Sequence, residues 1–292
     1  MTLALALVAM SCSQAQAGTE SAAEATPADT ATKNDKMTVN TDTTSAKVRV
    51  ETTLGSFTVL LYGDTPLHRD NFLKLVNEKY YDGTLFHRVI KEFMVQAGDP
   101  DSKNAKPGQR LGSGDPGYTL PAEIVFPKHF HKRGALAAAR QGDQVNPDRR
   151  SSGSQFYVVT GKKVPEAMIP SLKASLQQSE MQAIFNGLAA QHMTQIRQLQ
   201  AAGDAQGLET LRQELIKQTQ EQAANLPSKF TPEMAQAYTE VGGSPHLDGQ
   251  YTVFGEVIEG LDVIDKIEKV ATDAADRPTD DVRIISMTVL ND

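Results

Sequence analysis

From Lys47 onward the chain alternates polar and apolar residues. Lys47-Val48-Arg49-Val50-Glu51-Thr52 sends every second side chain to one face, as a half-buried strand does. Thr53-Leu54-Gly55-Ser56 can turn, and Phe57-Thr58-Val59-Leu60-Leu61-Tyr62 returns, so a hairpin is predicted. Asp64-Thr65-Pro66 predicts a helix start, a side chain able to cap followed by proline in the first turn, with Phe72, Leu75 and Val76 as the apolar stripe. Short apolar runs separated by Gly, Pro and Asp predict strands near 85–90, 94–97, 135–138, 155–160 and 251–257. A second amphipathic helix is predicted over 261–270 and a last strand over 282–290. Many short strands with two helices point to a mainly β barrel or sandwich.

Residues 163–243 break that rhythm. Met181, Ile184, Phe185, Leu188, Ile196 and Leu199 keep helical spacing, 201–207 interrupt it, and Leu208, Leu211, Leu215 and Ile216 resume it. Thr231-Pro232-Glu233 starts a further helix, with Thr as cap and Glu near the positive end of the dipole. The stretch reads as an inserted helical hairpin plus a shorter helix. Without it and residues 1–45, about 165 residues remain, a usual size for one barrel domain.

The N-terminal region has another character. The apolar run from Leu3 to Met10 is too short to span a bilayer but fits a signal peptide. Its end at Cys12, after small residues, resembles a bacterial lipoprotein signal, in which that Cys is lipidated. No Lys or Arg precedes the run, and Ala9 stands where that signal usually has Leu. A plain secretory signal cut near Ala17 is the other reading. Residues 1–17 are therefore read as a signal, 18–45 as a disordered tether too poor in large apolar residues to offset its ordering entropy, and 46–292 as the folded domain. The expected location is the periplasm or a membrane surface, held by a lipid anchor. A net charge of −7 gives no basic excess for neutralising phosphates, so nucleic acid is not expected as a partner.

Four blocks carry the candidate chemistry. They are Phe86-His87-Arg88-Val89-Ile90-Lys91-Glu92-Phe93-Met94-Val95-Gln96-Ala97-Gly98-Asp99, then Gly134-Ala135-Leu136-Ala137-Ala138-Ala139-Arg140, then Ser152-Gly153-Ser154-Gln155-Phe156-Tyr157-Val158, then His246-Leu247-Asp248-Gly249-Gln250-Tyr251-Thr252-Val253-Phe254-Gly255. In identity and order they resemble the active-site segments of cyclophilins, over residues 47–162 and 244–290. The resemblance implies a closed, antiparallel, eight-stranded barrel capped by two helices, and a peptidyl-prolyl cis/trans isomerase acting on proline-containing unfolded or partly folded proteins. An X-Pro bond prefers trans only slightly, yet rotation meets a barrier of about 18–20 kcal/mol from amide resonance. No bond breaks, so no nucleophile, metal or cofactor is required; the enzyme must bind the twisted amide better than the planar one.

Arg88 is the implied catalytic donor to the prolyl nitrogen, whose lone pair becomes basic as the bond twists; its charge persists and its fork is rigid. Gln96 would hold substrate backbone, with Gln155 beside it. Phe93, Met94, Tyr157 and Leu247 would line an apolar proline pocket. The main chain at Ala139 and Arg140 would grip the peptide as an added strand. His87 precedes the Arg in the motif and either orients the site or is structural. Three positions depart from the best-known pattern: Tyr157 replaces Phe, Arg140 replaces Asn and His246 replaces Trp. The last loses apolar area and the indole donor, so weak cyclosporin binding is expected with isomerase activity kept. His129-Phe130-His131 has no obvious third ligand nearby and reads as a loop before a strand, not as a metal site. The competing function is a proline-peptide binding module or chaperone with little catalysis. The insertion leaves the barrel beside the substrate groove, as a chaperone arm, a dimerisation hairpin or a tolerated excursion.

Overall fold

The computed structural model describes residues 44–290. Cys12, the signal and most of the proposed tether lie outside the described residues. The chain runs β1 (Ala46–Thr52), β2 (Gly55–Leu61), α1 (Pro66–Asn77), β3 (Arg88–Ile90), β4 (Met94–Ala97), β5 (Thr119–Leu120), β6 (Ala135–Ala138), β7 (Ser151–Ser152) and β8 (Phe156–Val159). Four helices follow, α2 (Ile169–Gln191), α3 (Met193–Ala201), α4 (Ala205–Ala224) and α5 (Pro232–Glu240). Then come β9 (Val253–Glu259), α6 (Leu261–Glu268) and β10 (Ile284–Leu290).

Eight strands form one antiparallel sheet in the order β10-β1-β2-β9-β6-β8-β4-β3. Its two edges do not share a full ladder. They meet one step earlier in each chain segment, where Leu85 bridges Arg283 and the main-chain bonds Phe86 N to Val282 O and Ile284 N to Thr84 O span the seam. Register shifts at Glu51/Thr52, Thr58/Val59 and Leu136/Ala137 add the local bending that a curled sheet needs.

The β1–β2 hairpin follows the alternation in the sequence. Val48, Val50, Phe57, Val59 and Leu61 are all buried in one cluster. Phe72, Leu75 and Val76 of α1 and Val263, Ile264 and Ile267 of α6 join that cluster, so both helices lay their apolar faces on the barrel core. The start of α1 differs from expectation. Thr65 occupies the cap position, but its side chain makes no cap bond, and Asp64 is taken by Lys128 and His129. The free N–H groups of Leu67 and His68 donate instead to the Glu123 carboxylate, at 3.0 and 2.9 Å. Capping by a residue 55 positions away is invisible to a local sequence pattern.

Strands β4, β6 and β8 are buried on both faces. Val95, Leu136, Phe156 and Val158 point into the barrel core, while Met94, Ala135, Ala137, Tyr157 and Val159 point to a second cluster on the other face. That outer cluster carries the cleft.

The insertion leaves after β8 and returns before β9. Its two legs are joined to each other by Val164 N to Tyr238 O, and to the barrel loop by Arg133 N to Gly242 O and Ser244 N to His131 O. A Cβ at Gly243 would run into the His131 carbonyl and the Tyr238 ring, so this close approach requires glycine. The predicted helices are present, with the first broken at His192. Thr231 caps α5 by accepting from Met234 N.

Candidate active site

Strand register assembles the site. Arg88 on β3 stands opposite Gln96 on β4, Gln96 opposite Tyr157 on β8, and Tyr157 opposite Ala137 on β6. Directly opposed residues share a face, so these four form a row across the sheet. Phe93, at the β3–β4 turn, and Leu247 and Tyr251, from the segment before β9, rise around the row. Together Arg88, Phe93, Met94, Gln96, Ala139, Arg140, Tyr157, Leu247 and Tyr251 line a cleft of about 150 Å³.

Eight of the residues singled out in the sequence meet at this cleft, and three do not line it. Gln155 lies behind, accepting from Gln96 Nε2 at 2.9 Å and donating to the carbonyls of Gly112 and Gly114. This fixes the Gln96 amide with its nitrogen toward Gln155, which leaves its oxygen as the acceptor on the open side. His246 is exposed at the rim, its ring 5.3 Å from that of Phe93. His87 is buried away from the cleft. It faces Gly112, neither ring nitrogen has a hydrogen-bond partner, and burial lowers its pKa to about 4. A neutral imidazole packed there supports the loop under the site and does not reach a peptide.

The main-chain grip is narrower than the expectation that paired Ala139 with Arg140. Ala139 N donates to Gln155 O and Ala139 O accepts from Ser152 N, so both its groups are spent inside the protein. Arg140 offers its main chain only, because its side chain is 3% exposed and committed. It donates to Gln250 O and Asp143, and its guanidinium lies 4.4 Å from the centre of the Tyr251 ring. Tyr251 is the cleft residue that sequence reasoning left out. An arginine in place of a short amide needs a face to lie on, and the aromatic residue at the start of the β9 region was the available signal.

Arg88 has a 46% exposed side chain and stands 3.5 Å from Asp276. An exposed pair of that length is weak, so the guanidinium stays free to turn to a substrate. The ring of Tyr157 lines the cleft, while its hydroxyl leaves on the far side toward His131 Nε2 at 3.0 Å. His129 and His131 diverge, the first to Asp64 at 2.7 Å and the second to Asp248 at 3.0 Å. Among the described residues no cluster of three or more His, Cys, Asp or Glu is arranged to hold a metal.

The sheet thus carries a cleft with an apolar floor, one guanidinium and one amide acceptor at its walls. The family model "Cyclophilin type peptidyl-prolyl cis-trans isomerase/CLD" matches residues 47–289, and the chain belongs to that family of isomerases. A Staphylococcus haemolyticus protein named "Putative peptidyl-prolyl cis-trans isomerase" is 30% identical over 246 residues, 83% of this chain and 90% of that protein. A Streptococcus pyogenes protein named "Putative bifunctional phosphatase/peptidyl-prolyl cis-trans isomerase" is 30% identical over 85% of this chain, which spans 39% of that longer protein. A solved cyclophilin-type isomerase of Cryptosporidium parvum aligns with 85% of this chain and 99% of its own length, at 20% identity and a TM-score of 0.49.

Proposed function

We propose that the chain speeds X-Pro rotation in exported proteins by holding the proline ring against Phe93, Met94, Tyr157 and Leu247 while Arg88 donates to the prolyl nitrogen. The observation that carries this reading is the row Arg88–Gln96–Tyr157, whose register puts a cation and an acceptor side by side at an apolar floor. In the planar amide the nitrogen lone pair is delocalised and attracts a donor weakly. In the twisted amide the lone pair is localised, so the Arg88 bond strengthens just where the barrier lies. Gln96 oxygen accepts a substrate N–H, and the Arg140 main chain, which has no main-chain partner of its own among the described residues, pairs with the peptide as an added strand.

A cis/trans assay on a short Pro peptide tests this. Arg88→Ala is expected to lose about 100- to 1000-fold in kcat/KM, the scale of removing one donor from an oxyanion-type site, with peptide affinity nearly kept. An Arg88→Ala protein as fast as wild type overturns the role of Arg88. Wild-type protein that binds the peptide without accelerating rotation makes the chain a proline-peptide binding module instead.

Lipidation at Cys12 and attachment of the domain to a membrane surface by the 13–45 segment complete the proposal. The apolar run ending in Cys12 supports it, and no helix among the described residues is long and apolar enough to cross a membrane. Cys12→Ala is expected to move the protein from the membrane to the soluble fraction and to abolish labelling by a radioactive fatty acid.

A further inference from the structure

The insertion reaches the cleft through hydrogen bonds. Tyr238 lies on α5 and is 0% exposed. Its hydroxyl donates to Asp248 Oδ2 at 2.5 Å. Asp248 Oδ1 accepts from the main-chain N–H of His131 at 2.9 Å and sits 3.0 Å from its Nδ1. On the opposite side of that imidazole, Nε2 is 3.0 Å from the Tyr157 hydroxyl. All four residues are buried.

Only one arrangement of protons satisfies the whole set with a neutral imidazole. Asp248 is an acceptor, so Nδ1 must carry the proton, which leaves Nε2 bare to accept from Tyr157. Burial, and then the Asp248 charge, push the Tyr238 pKa far up, so its hydroxyl stays a donor. The chain is Tyr157 O–H to His131, His131 N–H to Asp248, and Tyr238 O–H to Asp248. Buried polar networks of this kind hold geometry tightly when complete and loosen when one member is lost. Tyr157 and Tyr238 share no hydrogen bond or ring contact of their own among the described residues.

We propose that Tyr238 of the inserted helix is a positioning residue for the isomerase site, orienting the Tyr157 ring through Asp248 and His131. The proposal rests on the reading of Tyr157 as a wall of the proline pocket. It ties the insertion to the chemistry of the cleft, because the tyrosine found where many family members have phenylalanine is matched by a second tyrosine that the insertion supplies. The wall contacts the proline ring in planar and twisted forms alike, so loosening it weakens binding of both and acts on KM more than on kcat.

The test is a kinetic double-mutant cycle on the full chain with a short Ala-Pro peptide. Tyr238→Phe is expected to lower kcat/KM about fivefold, the scale of one hydrogen bond, with the loss in KM. Tyr157→Phe should cost about the same, and the double variant no more than either alone. Equal effects of Tyr238→Phe in both backgrounds, or none in either, overturn the inference. Arg88→Ala runs in parallel. If it is inactive while Tyr238→Phe is unaffected, only the positioning role fails; if it is fully active, the reading of the site fails. Should Tyr238→Phe not fold, nitrogen NMR of His131 in the wild type still tests the relay through which Tyr238 would act. Protonated Nδ1 with an accepting Nε2 supports the chain, and the opposite tautomer refutes it.

Discussion

The barrel and the insertion keep their order by different means. Inside the barrel, residues from all eight strands and from two helices bury their side chains in a single cluster that runs from Val48 to Met287. Along the 23 residues of α2 only Leu188 is buried. The hairpin tip relies on Leu188, Leu211 and Leu215, with five half-buried neighbours, and this layer is separate from the root layer of Phe130, Phe230, Met234 and Tyr238. Burial therefore makes the barrel one cooperative unit, whereas the insertion is two thin layers in series. Only the root layer touches groups that also serve the cleft. A disturbance in the tip should stop at the tip, and one in the root should reach Tyr157.

The largest expected effect is in the barrel. Phe57 is buried in the main cluster, so Phe57→Ala should cost about 3–5 kcal/mol of global stability in denaturant titration. A loss under about 1 kcal/mol, far below the usual cost of such a truncation, would show that the cluster is not a cooperative unit.

Acid comes next, again acting on the barrel. The His87 pKa falls from 6.5 to about 4 on folding because burial opposes the charged ring. Between those values the unfolded chain binds a proton that the folded one refuses, so stability falls as pH drops through that window and is untouched above it. The full depression corresponds to about 3 kcal/mol. His87→Leu, which loses no hydrogen bond, should flatten the melting temperature between pH 6.5 and about 4. An unchanged acid slope would assign it to other groups.

Leu215→Ala separates the regions most directly. Opening of the hairpin tip should become easier by about 2 kcal/mol, seen as faster amide exchange over 180–220, while the barrel transition and the isomerase rate stay put. A matching drop in barrel stability would join the two regions into one unit.

The same contrast explains what could be read from the residues beforehand. Strand β1 alternates cleanly because one of its faces is wet, so period two marked it; β2 keeps the pattern less well, since Thr58 is buried between Phe57 and Val59. Strands β6 and β8 are apolar on both faces, and β4 is too except at Gln96; their extent was legible from bounding Gly and Asp, but which side chains faced the cleft came from family resemblance. The spent main chain of Ala139, the Glu123 cap and the Asp248–His131 link join residues far apart in sequence, and no local pattern encodes such pairs. His131 in particular read as an ordinary loop residue, since its partners come from β8 and from the far side of the insertion.

The smallest predicted effect lies where the regions meet. His246 follows the return leg of the insertion and forms the rim of the cleft, with its ring 5.3 Å from Phe93. An indole at this position would extend apolar surface over the rim and add one N–H donor, while the Arg88–Gln96–Tyr157 row below would keep its register. His246→Trp should therefore tighten cyclosporin inhibition about tenfold over a weakly inhibited wild type, and leave kcat/KM for a short Pro peptide within about twofold. Both arms matter. Equal, tight inhibition of the two proteins would mean that the rim does not select the macrocycle. A collapse of peptide turnover in the variant would mean that the rim is part of the machinery, and that the segment following the insertion reaches the substrate directly.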